Sequence, residues 1–288
     1  MVEEDYKGVS MAEKSFDSIN GAVSNTSEQL SKLLINIDKQ EIGVAPTYSF
    51  LSDRAILREK ELGNILIEPF IIENLGTGSY DVTLGKYYYR ENRDASGLSF
   101  YNPYSQSDVA RVWGDQDSYE EAISVREWRR QNRNFELENI RDDDFIIVLD
   151  PGETILAHTN EFIGGTDNTI DTMMKARSST GRNFIEVCKC AGLGDIGYCN
   201  RWTMEITNNS SKYQIPLVVG RRIAQILFFK TEGTVKSLYS EVGKYQETSD
   251  VEKMKQSWHP SMMLPRMYKD REVLALQAKE ANREETAR

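Results

Sequence analysis

The 288-residue chain is 39% hydrophobic and 10% aromatic, enough to bury the core of one large domain with extensions. Its formal net charge of -10 argues against a general nucleic-acid or anionic-membrane surface, because both partners reward a basic field. No run of about 18 apolar residues occurs, and the acidic start MVEEDYKG lacks the basic-then-apolar order of a signal peptide, so a cytoplasmic protein without membrane contact is expected.

Residues 1–48 read as an N-terminal extension. Its first twenty-odd residues are polar, but in NTSEQLSKLLINIDKQE the residues Leu30, Leu33, Leu34 and Ile37 recur at helical spacing behind a capping-box pair, Thr26 and Gln29. One amphipathic helix is predicted there, its apolar face packed on the body or on a neighbouring subunit. A second helix is signalled by Ser52 as N-cap, the run DRAILREKEL, and Gly63 as a stop. Strands follow in NILIEPF and in SYDVTLG, where Tyr80, Val82 and Leu84 alternate with Asp81 and Thr83 and Gly85 closes the run.

Residues 91–142 mix turn residues, aromatics and charge without a sustained period, and read as an inserted, partly ordered region. Within it SYEEAISVREWRRQ predicts a short helix. Its Arg126, Arg129 and Arg130 form a basic patch that is most simply a solvated face paired with nearby acids. From Phe145 to Phe229 short apolar runs separated by DPGE, GGTDN, NNSSK and VGRR predict a mainly β body, a jelly-roll-like barrel or sandwich with peripheral helices. Residues 249–288 read as a partly helical tail.

The chemistry gathers in RSSTGRNFIEVCKCAGLGDIGYCNRWTME. Arg177, Ser178, Ser179 and Arg182 collect cations and hydroxyls around a glycine, which suits a loop holding phosphate oxygens. In WTMEITN the alternation turns Trp202, Met204 and Ile206 to one face and Thr203, Glu205 and Thr207 to the other, so an acid is aimed away from the core. Cys188, Cys190 and Cys199 are odd in number and lack Cys-x2-Cys spacing, and the only histidines are His158 and His259. Small buried or half-buried thiols are therefore expected rather than a zinc site or a disulfide framework.

Several short motifs in order, SDRAILREKELGNILIEPF, GSYDVTLG, PGETILAHTNEFIG, RSSTGR, AGLGDIGY, EITN, VGRRIAQILFF and GKYQ, resemble the deoxycytidine triphosphate (dCTP) deaminases, relatives of trimeric deoxyuridine triphosphatase (dUTPase). The resemblance covers residues 50–248 and implies a distorted β-barrel of the dUTPase-like type, with the domain spanning 49–248 around the insertion. It implies hydrolytic deamination of dCTP to dUTP and ammonia, and onward reaction to dUMP, supplying deoxyuridine nucleotides for thymidylate synthesis. Glu205, ten residues after Asp195, matches the deaminases' catalytic glutamate, where dUTPases carry an aliphatic residue.

By the same resemblance Ser178 and Arg182 assist Glu205, and the backbone near Ala191 helps hold the water and the ring. Arg177, Ser179 and Lys244 meet the triphosphate with Mg2+, and no catalytic zinc is implied. Asp195 accepts from the sugar 3'-hydroxyl, Tyr198 lies under the deoxyribose, Gln225 contacts base or phosphates, and Lys244 and Tyr245 belong to a C-terminal segment that closes over the site. A homotrimer with shared active sites is implied as well. Cys188 and Cys190 stand where deaminases tend to have histidine and threonine, which alters the water-holding shell. Ile196 replaces a usual proline, and Asn200 stands where glycine is common and could keep a left-handed turn. A dUTPase-type diphosphatase using Asp195 to activate water, and a non-catalytic nucleotide-sensing derivative, remain the alternative readings.

Overall fold

The strand Thr154–Gly165 is buried on both faces along nearly its whole length, which is why its sequence, TILAHTNEFIGG, shows no polar–apolar alternation. In the computed structural model, which describes residues 49–92, 99–233, 237–246, 248 and 250–286, this strand is the hub of the architecture. The helix expected over residues 25–41 lies outside the described residues.

In chain order come helix α1 (Asp53–Glu61), strands β1 (Ile65–Glu68) and β2 (Tyr80–Arg90), helix α2 (Gln106–Trp113), strands β3 (Glu120–Glu121) and β4 (Ile123–Ser124), and helix α3 (Val125–Gln131). Strands β5 (Phe145–Leu149), β6 (Thr154–Gly165) and β7 (Ile170–Ala176) follow, then one helical turn, α4 (Ser178–Arg182). Strands β8 (Ile185–Val187), β9 (Leu193–Gly194), β10 (Cys199–Asn208), β11 (Ile215–Val218) and β12 (Arg222–Lys230) lead into helices α5 (Tyr239–Val242), α6 (Val251–Ser257) and α7 (Arg271–Thr286).

Among the described residues the fold is mainly β. A nine-stranded antiparallel sheet runs β8-β10-β6-β2-β12-β7-β9, with β1 added to β6 and β3 to β2, and a three-stranded sheet runs β11-β5-β4. The large sheet curls because β6 shares one edge between two partners, β2 along Ile155–Thr159 and β1 along Phe162–Gly165, while β10 follows its other edge. Register shifts in β10 and β2 add local twist. Inside the curl, Ile155, Ala157, Ile163, Met204, Ile206, Ile226 and Phe228 form the main core. On the outer face Leu156 joins Tyr89 and Met263, and Phe162 joins Cys199 and Met254, so residues of the C-terminal tail cover what would otherwise be an exposed apolar sheet.

Three local expectations are corrected. Gly85 does not end β2, which continues to Arg90; the glycine is there because the His158 ring occupies its side-chain space, and a Cβ would lie 2.0 Å from His158 Cε1. The helix expected over residues 118–131 is confined to Val125–Gln131, because Ser124 Oγ accepts from the Glu127 amide and caps it there, while Glu120–Glu121 and Ile123–Ser124 pair as strands. Ser52 stands at the N-cap of α1, but its hydroxyl makes no capping bond.

His158 is 1% exposed and fully engaged, its Nε2 accepting from the Tyr87 amide at 3.3 Å and its Nδ1 lying 2.8 Å from the Thr159 carbonyl. Burial lowers its pKa to about 4, so the ring is neutral. Gly85→Ala is expected to destabilise the protein by about 1–3 kcal/mol, because this doubly bonded ring cannot move aside. The denaturant midpoint, compared with wild type at unchanged m, measures it.

Candidate active site

Strand β10 carries the acid. Trp202, Met204 and Ile206 are buried in the core, whereas Thr203 and Glu205 are half-buried on the opposite face, with Glu205 opposite Leu156 of β6. The Trp202 indole donates to the Ile163 carbonyl at 2.9 Å and so fixes the strand against β6. Burial pushes the Glu205 carboxyl above the ordinary carboxylate range, and its own backbone amide and the Lys189 ammonium offset part of that shift.

The turn after β8 brings a second wall. Cys188, Lys189 and Cys190 all adopt left-handed backbone conformations, with φ of 70°, 41° and 66°. Such conformations cost non-glycine residues roughly 1–2 kcal/mol each. The run is held by the Ala191 amide donating to the Cys188 carbonyl at 2.6 Å and by the Met174 amide donating to the Gly192 carbonyl at 2.7 Å. Strand β9 then pairs with β7, and the chain turns so that the Tyr198 amide donates to the Asp195 carbonyl at 2.8 Å. Gly197, at φ +87°, takes the left-handed position of this turn. Asn200, expected there, is instead a buried residue of β10 whose side-chain oxygen accepts from the Arg201 amide. Tyr198 meets Trp202 and Tyr239 edge-on, with ring centroids 5.1 and 5.2 Å apart, and burial raises the pKa of its hydroxyl.

These elements enclose a cavity of about 590 Å3 lined by Glu205, Asp195, Tyr198, Ala191 and Tyr245 among the residues singled out from the sequence. That size lies within the range of small-molecule sites. Its roof is apolar and comes from two segments outside the resemblance or inserted within it. Tyr101, Pro103 and Trp113 come from the insertion, and Met262, Met263, Pro265 and Met267 from the tail.

The other sequence-selected residues lie elsewhere in the chain. Ser178, Ser179 and Arg182 are exposed on α4, a turn of helix where an open loop was expected. Arg177 and Ser179 line a second cavity of about 340 Å3 together with Arg221 and Arg222. Arg177 is already engaged, its Nε 3.1 Å from Asp81, which also holds Arg222. Gln225 is a half-buried residue of β12, in register with Asp81 on one side and Lys175 on the other. Lys244, expected to meet phosphate, is ion-paired to Asp270, and its carbonyl accepts from Arg266 at 2.6 Å.

Three residues escaped the sequence reading. Gln246, 4% exposed, accepts from the Cys199 amide at 2.8 Å and donates to the Gly197 carbonyl, fastening the C-terminal segment to the turn that carries Asp195 and Tyr198. Its place in GKYQ was the available signal. Lys189 and Arg201 also line the main cavity. Arg201 is sandwiched between Phe162 and Trp258, 4.8 and 4.7 Å from their ring centroids. Cys188 and Cys199 are buried and Cys190 exposed; burial raises the Cys199 thiol to about 12 and the Cys188 thiol still further. Among the described residues no group of three or more His, Cys, Asp or Glu side chains could hold a metal ion. No described helix is long and apolar enough to cross a membrane.

Comparison with known proteins bears on this arrangement directly. A family model described as dCTP deaminase-like matches residues 50–231. The chain belongs to that family. A dCTP deaminase (dUMP-forming) of Methanopyrus kandleri is 30% identical over 200 residues, covering 68% of this chain and 89% of the relative. One of the same name from Clostridium botulinum is 29% identical over 221 residues, covering 76% of this chain and 97% of the relative. Among solved structures, a 2'-deoxycytidine 5'-triphosphate deaminase from Agrobacterium tumefaciens aligns at TM-score 0.40 and 19% identity, over 64% of this chain and 49% of that one. The family match stops at residue 231, so the tail that roofs the cavity lies beyond it, and the roof residues of the insertion lie within it.

Proposed function

We propose that the protein catalyses hydrolytic deamination of dCTP to dUTP and ammonia, with Glu205 as the group that moves the protons. The observation that carries this reading is the carboxylate itself. It sits on a strand, half-buried, facing a nucleotide-sized cavity, with burial raising its affinity for a proton. A general base that must also act as an acid needs a pKa near the working pH.

In the ionised state Glu205 takes a proton from water as the oxygen attacks C4 of cytosine. It returns that proton to N3, which gives a tetrahedral centre carrying both hydroxyl and amino groups. It then takes the hydroxyl proton and passes it to the amino group. The C4–N bond breaks, ammonia leaves, and the C4 carbonyl of uracil forms. Glu205 itself activates the water in this scheme, without a catalytic metal. Magnesium enters as part of the substrate, bound to the phosphate oxygens of the nucleotide. Tyr198 supports the deoxyribose and Asp195 accepts from its 3'-hydroxyl.

Asp195 shares the cavity with Glu205, and this favours an onward step in which water attacks the α-phosphate of dUTP to yield dUMP and pyrophosphate. The names of the Methanopyrus and Clostridium relatives support the same product. On this reading the enzyme works in the cytoplasm and its product feeds thymidylate synthesis. Ser178 and Arg182 are exposed and do not line the cavity that holds Glu205 in the same chain, and we take them to complete the site of a neighbouring copy in a homotrimer.

The test is to incubate the protein with magnesium and dCTP, dUTP or their monophosphates, following nucleotides by chromatography and ammonia by a coupled assay. Uracil nucleotide and equimolar ammonia are expected from dCTP. Pyrophosphate is expected if the second step occurs. Absence of ammonia from every cytosine nucleotide would sink the deaminase reading.

A further inference from the structure

We propose that Lys189 is a positioning residue of this centre, its ammonium facing the Glu205 carboxylate across the space in which the attacking water would sit. The inference rests on the deaminase reading of the cavity. Both side chains line that cavity, and among the described residues no carboxylate lies within 4 Å of Lys189. The cation is therefore not consumed by a surface ion pair.

The backbone argues the same point. Cys188 is buried, with its thiol 2.9 Å from Met174 Sδ, so the strained turn begins from a fixed point in the core. Three successive non-glycine residues then hold left-handed conformations. This is the conformation that lifts Lys189 out of the core and to the cavity wall while setting Ala191 beside it. Strain of this kind persists only where the surroundings over-determine it, and it concentrates at functional sites. Here the hydrogen bonds of Ala191 and Gly192 impose it.

The charged groups that share the cavity with Glu205 are few. Lys189 comes from the turn after β8, Asp195 from the turn after β9, and Arg201 from the start of β10. Tyr198, Tyr239 and Tyr245 contribute neutral hydroxyls, Leu156 and Thr154 of β6 carry no charge, and the tail and insertion present methionines, prolines and aromatic rings. The Arg201 guanidinium is stacked between two rings and engaged with Phe162 and Trp258. Lys189 is the cation that favours the ionised form of Glu205. Its role is to keep the base available at working pH and to hold the water between ammonium and carboxylate before attack. A positive charge at this point also replaces the polar shell that Cys188 and Cys190 cannot supply.

Lys189→Met, Lys189→Arg and wild type are compared by two readouts. The first is the titration of the Glu205 carboxyl carbon, observed by NMR on glutamate-labelled protein and assigned with Glu205→Gln. In Lys189→Met its midpoint moves to higher pH, and Lys189→Arg restores it. The second is the pH profile of ammonia release. In Lys189→Met, kcat falls roughly 3- to 10-fold more at pH 6 than at pH 8, as expected for loss of one nearby charge in a partly solvated site. A Glu205 midpoint identical in all three proteins overturns the proposal, and so does a rise in KM alone, the mark of a phosphate contact. The NMR readout needs no turnover. Failure of wild type to release ammonia therefore counts against the deaminase reading, and an unmoved midpoint counts against Lys189.

Discussion

Glu205→Gln is expected to fold normally and to release ammonia from dCTP about 100-fold more slowly than wild type, or slower still. Glutamine keeps the shape of the side chain on β10, whose position is fixed by Trp202, Met204 and Ile206 on the opposite face. It cannot accept the proton from water or return it to N3. A 100-fold loss corresponds to about 2.7 kcal/mol of transition-state stabilisation, well above the cost of losing an ordinary surface contact. The pH dependence follows from the elevated pKa of the wild-type carboxyl. The base form accumulates as pH rises, so kcat climbs through that pKa and then levels.

The same substitution has a stability consequence of fixed sign. A carboxyl whose pKa is higher in the folded state than in the unfolded chain favours folding only while it is protonated, and that contribution is lost as pH rises through the folded value. Above that range wild type bears the cost of a half-buried charge, and the glutamine variant does not. Thermal unfolding should therefore show Glu205→Gln more stable than wild type at pH 8 and nearly equal to it at pH 4. Equal melting at both would mean that the carboxyl is not held at cost.

The facing of residues on β10 was legible from their order alone. Alternation in WTMEITN separated Glu205 from the core-facing Trp202, Met204 and Ile206, and the structure keeps that separation, with Thr203 and Glu205 half-buried on the cavity face although Thr207 is buried. Strand β6 gave no alternation because the tail covers its outer face, a contact between residues some hundred positions apart that no local pattern encodes. The cavity roof was equally hidden. Tyr101 and Pro103 lie in non-periodic chain, and Met262 and Met263 fall in the short 3-10 turn Pro260–Met263, where there is no stripe to read. Lys189 escaped because three left-handed residues without a glycine contradict the usual sequence signal for such a turn. Lys244 escaped in the other direction. The resemblance assigned it to the triphosphate, and its pairing with Asp270 of the tail is a contact that no local pattern announces.

Mixing two nearly inactive variants is expected to restore activity. Arg182→Ala and Glu205→Gln should each lose nearly all ammonia release, the first by removing the helper from α4 and the second by removing the base. Within one chain these residues do not meet: Glu205 lines the main cavity, while α4 is exposed and lies beside the smaller cavity lined by Arg177 and Ser179. If each site takes Glu205 from one copy and Arg182 from the next, co-expressed variants at equal ratio form sites of four kinds. One kind combines an intact Glu205 with an intact Arg182, so about a quarter of wild-type activity returns under closed rotational symmetry. Two tags on the two variants show by sequential capture that mixed assemblies have formed, and activity is read on the unfractionated mixture, because in a purified mixed trimer one site of the three is intact, about a third. If α4 instead folded over its own chain's cavity in solution, no site in the mixture would hold both residues and the mixture would be as inactive as its parents. Recovery near one quarter thus distinguishes a shared site from a self-contained one, and it does so with the same substitution that tests the base.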